Sequence, residues 1–160
     1  MIGPRQLRTT WDQHNMLMAM VAATRSPDPN TQVGAYICTP DNKPIASGYN
    51  GVAKGIDPET IPWDRTGDSP EKTKYAYVVH AELNAILNAK GLTQETKLYS
   101  TLFPCNECAK AIIQAGIQEV IFMENLYPDQ WFTKLASSFF TTTNILVRQL
   151  TPDCNLEIDL

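Results

Sequence analysis

The spacing of apolar positions changes repeatedly along the chain, and each change marks an element. Met16, Leu17, Met20 and Val21 recur at helical spacing behind Thr10 and Gln13, which stand at capping-box distance. A first helix is therefore expected to follow Thr10 and to end near Arg25 and Ser26. Ser26-Pro27-Asp28-Pro29-Asn30 is turn chemistry and predicts a loop. Residues 33–39 are small, apolar and β-branched enough for a buried strand, Pro40, Asp41 and Asn42 turn the chain back, and residues 45–49 read as an antiparallel partner. That partner closes in Gly48-Tyr49-Asn50-Gly51, whose Asn-Gly step predicts a turn.

From Val52 to about Tyr75, prolines, glycines and charges interrupt any period, which predicts a long loop excursion, and loops of that length are uncommon unless functional. Helical spacing resumes from near His80 through Leu83, Ile86 and Leu87 to Lys90, with Gly91 as the C-cap residue. Residues 98–102 form a strand by content. Pro104 suits the first position of a helix running to Ala115 and stopping at Gly116. Residues 120–123 are strand-like, a helix follows Pro128 through Trp131, Phe132 and Leu135, and residues 145–150 give a last strand before an acidic tail. The order α, β-hairpin, α, β, α, β, α, β implies an α/β fold with a five-stranded mixed sheet covered by helices and right-handed crossovers. With 160 residues, one domain spanning residues 1–160 is expected.

Charge narrows the partners. Thirteen Lys and Arg against 17 Asp and Glu leave a net charge of −4, which provides no electrostatic footprint for nucleic acid. No run reaches the ~18 to 20 apolar residues of a membrane helix and the start carries no apolar signal core, so a cytoplasmic chain is expected. Its 4 cysteines are too few for a disulfide scaffold, which favours a reducing compartment.

Two of those cysteines belong to the pattern that carries chemistry. His80-Ala81-Glu82 is followed, beyond residues 83–103, by Pro104-Cys105-Asn106-Glu107-Cys108. Cys105 and Cys108, at i and i+3 in the first turn of a helix, face one side, and the helix N-terminus favours their thiolates, the form that binds zinc. His80 supplies a third ligand, which leaves one tetrahedral position for water, as in catalytic zinc sites. A closed structural site needs a fourth ligand, and none of His14, Cys38 or Cys154 has pair spacing with the cluster. Glu82 lies close enough to reach that water and suits proton transfer better than ligation. The combination of H-x-E with P-C-x-x-C matches the known signature of zinc deaminases.

The chain also resembles the deoxycytidylate (dCMP) deaminases, a branch of the cytidine deaminase superfamily, from about residue 11 to 127. The likeness is carried by the zinc motifs and by Arg25-Ser26, Asp28-Pro29-Asn30, Gln32-Val33-Gly34-Ala35, Gly48-Tyr49-Asn50-Gly51, Lys74-Tyr75 and the residues around His80 and Cys105. It implies a three-layer α-β-α cytidine-deaminase-like fold, conversion of dCMP to dUMP, and a homohexamer activated by dCTP with Mg2+ and inhibited by dTTP. By the same resemblance Glu82 is the proton shuttle and His80, Cys105 and Cys108 hold a single Zn2+. Arg25, Ser26, Asn30, Asn50, Ala81 and Tyr127 are implied to contact substrate, and Gly48, Tyr49, Asn50 and Gly51 to take the effector. Residues 52–77 contain no Cys or His, so the additional structural zinc of some relatives is not expected.

Other readings stay open. The same zinc core serves deamination of free cytidine, guanine or an adenosine in tRNA. A chain acting on both dCMP and dCTP differs only in how its loops receive phosphates. From another class, a non-catalytic nucleotide-binding regulator or zinc-stabilised scaffold needs the metal but not Glu82.

Overall fold

The computed structural model describes residues 8–150; the first seven residues, the acidic tail and Cys154 lie outside them. Helix α1, Trp11–Ala23, opens on the predicted capping box. Thr10 Oγ1 accepts from Gln13 N at 3.2 Å, and Gln13 Oε1 accepts from Thr10 N at 2.7 Å. Strands β1, Gly34–Cys38, and β2, Pro44–Tyr49, form the expected hairpin. The Asn50-Gly51 step does not reverse the chain: it bends into a second ribbon, in which β3, Gly51–Val52, pairs antiparallel with β4, Val78–Val79. The excursion is therefore tied at both ends, and it holds three 3-10 turns, at Pro58–Thr60, Pro70–Lys72 and Lys74–Ala76. Alternation did not reveal the ribbon because two residues per strand carry no period.

Helix α2, Ala81–Asn88, ends earlier than its apolar spacing suggested, because Lys90 and Gly91 both take left-handed φ, 51° and 87°. Then come β5, Lys97–Leu102; α3, Asn106–Gln114; β6, Glu119–Glu124; α4, Trp131–Thr142; and β7, Leu146–Gln149. Pro104 lies before the N-cap of α3 rather than at its first helical position, since Cys105 is that cap. The five-stranded sheet has the order β2-β1-β5-β6-β7, antiparallel on the hairpin side and parallel from β5 to β7.

Side chains alternate across this sheet as the pleat requires. Ala35, Ile37, Leu98 and Val120 face the layer of α2, α3 and α4, where Ala85, Ile112 and Phe140 complete the main core. Tyr36, Cys38, Tyr99 and Ile121 face α1 and pack on Met16 and Ala19. This is a three-layer α-β-α arrangement. Two glycines set the helix distances: a Cβ on Gly34 would lie 1.9 Å from Ala19 O in α1, and one on Gly48 would lie 2.3 Å from Ala85 N in α2. At Gly48 the bare backbone thus serves close packing of α2, the helix that carries the chemistry.

On the α1 face Arg148 holds Asp12 in a two-pronged ion pair at 2.7 and 2.8 Å, while Tyr99 Oη donates to Asp12 Oδ1 at 2.7 Å. The Arg148 bonds hold the Asp12 carboxyl below its ordinary value of 3.8. A depressed carboxylate contributes stability above that ordinary value and loses it as pH falls through the folded value. Asp12→Asn is expected to be less stable than the parent by up to about 1 kcal/mol at pH 7, the pair being partly exposed. Urea midpoints should show the gap closing between pH 4 and pH 2; a gap independent of pH rules this account out.

Candidate metal centre and substrate cavity

The two ligand-bearing segments meet because α2 and α3 pack against each other. His80 is the N-cap residue of α2 and Cys105 that of α3, and Cys108 lies in the first turn of α3. His80 Nδ1 stands 3.4 Å from Cys105 Sγ and 3.4 Å from Cys108 Sγ. For a tetrahedral zinc with ordinary bond lengths, the nitrogen-to-sulfur separation is about 3.5 Å, so both nitrogen–sulfur distances match such an ion. Among the described residues no other His, Cys, Asp or Glu joins this group. Cys38 lies on the opposite face of the sheet among the α1 contacts, and His14 packs edge-on against Trp11.

Glu82, in the first turn of α2, is buried and stays out of the ligand set. Its Oε1 accepts from Ser100 Oγ of β5 at 3.1 Å, and its Oε2 lies 3.4 Å from Cys108 Sγ. One carboxylate oxygen is thus anchored and the other faces the metal position. Burial raises the Glu82 pKa. The sulfurs divide their roles. The bond from Cys108, aided by His80, brings the Cys105 thiol down to about 4, while the neighbouring Cys105 sulfur pushes Cys108 well above the ordinary thiol value. The opposite directions are those of two neighbouring thiols that share one negative charge in the absence of a cation. Two adjacent thiolates repel one another, and a divalent cation bound between them would relieve that repulsion and favour the charged form of both. His80 is raised by its bond to Cys105.

This centre opens into a cavity of about 670 Å³, a size that suits a small ligand. Val33, Val78, Leu102, Phe103 and Phe132 give it apolar walls. Asn50, Ala81 and Tyr127 line it as well, whereas Arg25, Ser26 and Asn30 do not. The Asn50 amide is largely engaged: Oδ1 accepts from Val33 N at 2.7 Å, and Nδ2 donates to Thr31 O and Asp28 Oδ2. Ser26 Oγ donates to Asn50 O at 2.8 Å, and Asn30 Nδ2 donates to Trp63 O at 3.0 Å, so both hold the loop together from behind. Arg25 is exposed.

Four site residues escaped the sequence pattern. Asp28 and Lys74 form a buried ion pair in the cavity wall, Arg65 reaches over its mouth, and Ser100 holds Glu82. Asp28 and Lys74 were visible only as parts of longer matches. Ser100 had no distinguishing signal, because Tyr99 and Thr101 on either side of it in β5 also carry hydroxyls. Arg65 had none.

A three-residue group able to hold a metal ion, with a buried carboxylate beside it in the wall of one cavity, suits metal-assisted hydrolysis. The model of the cytidine and deoxycytidylate deaminase zinc-binding region matches residues 9–124, and the chain belongs to that family, as a deaminase that hydrolyses a carbon–nitrogen bond. The deoxycytidylate deaminase of Homo sapiens is 45% identical over 146 residues, 91% of this chain and 82% of that protein. The deoxycytidylate deaminase of Mus musculus is 46% identical over 143 residues, 89% of this chain and 80% of that protein. Among solved structures, the dCMP deaminase from the cyanophage S-TIM5 in apo form superposes with a TM-score of 0.65 at 22% identity, over 87% of this chain and 96% of that one. The same cyanophage enzyme has been solved in complex with dCMP and dUMP.

Proposed function

We propose that this chain converts dCMP and water to dUMP and ammonia with one Zn2+ held by His80, Cys105 and Cys108. The observation that carries the reading is the buried Glu82 carboxylate, outside the three-residue group but with its Oε2 3.4 Å from the Cys108 sulfur of that group. The names of the human and mouse relatives support the choice of nucleotide. Zinc bound there supplies a Lewis acid that lowers the pKa of a water in the fourth position to about 7. Glu82, steadied by Ser100, takes the proton that the attacking water loses and gives it to N3 of the cytosine ring. The C4–O bond forms in that first step; Glu82 then takes the remaining proton of the new C4 hydroxyl and passes it to the exocyclic nitrogen, so that the C4–N bond breaks, the C4 oxygen becomes a carbonyl and ammonia departs. The apolar walls hold the base and exclude bulk water, while Asn50 keeps one acceptor lone pair for the sugar.

The wider reading is a cytoplasmic homohexamer that supplies dUMP for thymidylate synthesis, with dCTP and Mg2+ activating and dTTP inhibiting at Gly48 to Gly51. The resemblance of that segment supports it; Tyr49 is exposed there, and Tyr49 O accepts from Asn84 Nδ2 of α2, which joins the segment to the catalytic helix.

Ammonia release from dCMP, dCTP and cytidine, each with and without chelator, tests the reading. Turnover of dCMP that disappears with chelator and returns with zinc is expected, with a rise on adding dCTP and a fall on adding dTTP. Chelator-insensitive turnover, or cytidine processed as well as dCMP, overturns the core reading. A flat response to both effectors removes only the regulation.

A further inference from the structure

Within the reading above, we infer that Arg65, in the excursion between β3 and β4, is the residue that recognises the 5′-phosphate of the substrate and makes the enzyme select a nucleotide over a nucleoside. The guanidinium lines the cavity and is held by two neutral hydroxyls: Arg65 Nη2 donates to Thr31 Oγ1 at 2.8 Å and to Tyr127 Oη at 3.0 Å. Among the described residues it has no carboxylate partner, and its Nε and Nη1 have no hydrogen-bond acceptor. The other charged side chains of the lining are committed. Lys74 is neutralised by Asp28, Glu107 pairs with Lys110 at 2.8 Å, and Glu82 and His80 belong to the metal centre. Arg65 is thus the uncompensated cation among the described residues of the lining. Hydroxyls that fix a guanidinium without neutralising it leave its charge and its planar fork for a dianion. Thr31 and Tyr127 can then rotate their hydroxyls onto the same phosphate as donors.

Arg25, the guanidinium that sequence alone put forward for this task, is outside the lining, and Arg65 comes from a segment far from it in sequence. The excursion therefore does more than cover the cavity: it delivers the charge that distinguishes phosphorylated substrates.

The experiment is steady-state kinetics of wild type, Arg65→Ala, Arg65→Lys and Tyr127→Phe with dCMP, and with inorganic phosphate as competitor. Loss of a charge-assisted contact to a dianion is expected to raise KM about 30-fold or more in Arg65→Ala with kcat within about threefold. Inorganic phosphate, competitive in the wild type, should cease to inhibit that variant, and Arg65→Lys should recover part of both effects. Tyr127→Phe removes a bond that holds the guanidinium but keeps its charge, so its KM should rise less than fivefold. A KM unchanged in Arg65→Ala, a fall in kcat alone, or equal effects of Arg65→Ala and Tyr127→Phe overturns the inference and leaves Arg65 as a latch. A wild type that does not turn over dCMP defeats the parent reading instead.

Discussion

Glu82→Gln is expected to lower kcat for ammonia release by about 10³-fold or more while the protein keeps one zinc per chain and its melting temperature. Glutamine has nearly the same shape and still offers an oxygen to Ser100 Oγ, which donates to Glu82 Oε1 at 3.1 Å. It cannot carry a proton, and a positioned acid–base group contributes about 10² to 10⁴ to a rate. In the proposed reaction Glu82 serves more than one transfer in the same turnover, so the upper part of that range is expected. The ligands His80, Cys105 and Cys108 are untouched by the change, so metal analysis and kinetics separate chemistry from assembly. A variant with more than a tenth of the parent activity, or one that loses its zinc, contradicts the assignment of Glu82 as proton carrier.

The second large effect is on stability. Asp28→Asn should destabilise the protein by about 3–5 kcal/mol, because it leaves the Lys74 ammonium buried without its countercharge. The side chains of Lys74 and Asp28 are only 7% and 1% exposed. Asp28 also accepts from Asn30 N at 2.8 Å, Thr31 N at 3.3 Å and Asn50 Nδ2 at 3.3 Å, so it organises the loop that frames the cavity. Lys74→Met leaves a carboxylate that still receives those donors and is expected to cost less. The double variant Asp28→Asn with Lys74→Met removes both charges and should recover at least half of the loss in Asp28→Asn. Urea unfolding of the three variants measures this cycle. Additive losses, or a single loss below about 1 kcal/mol, show that the pair does not hold the loop through its charges.

How far the sequence reached differs by element. The long helices were legible because apolar positions recur at helical spacing, and the central strands because they are short runs buried on both faces. Met16 and Ala19 belong to the buried face of α1, and Ala35 and Ile37 alternate with Tyr36 and Cys38 between the two faces of β1. The ends were less legible, since Lys90 and Gly91 stop α2 through left-handed backbone that apolar spacing does not report. The β3–β4 ribbon left no trace in the pattern because its partners, Gly51 with Val79 and Val52 with Val78, are set by closure of a long loop.

At the site the same division holds. His80, Glu82, Cys105 and Cys108 were identified by residue type and short spacing, because a helix start fixes where neighbours a turn apart must face. Those four residues, the α/β order and the deaminase signature are what the sequence determined by itself. The partners that arrive from elsewhere in the chain, Ser100 on Glu82, Lys74 on Asp28 and Arg65 on Thr31 and Tyr127, were decided by tertiary structure alone. Local spacing specifies direction along a helix, whereas charge pairing and the shape of the cavity depend on distances between segments that only the packed chain sets.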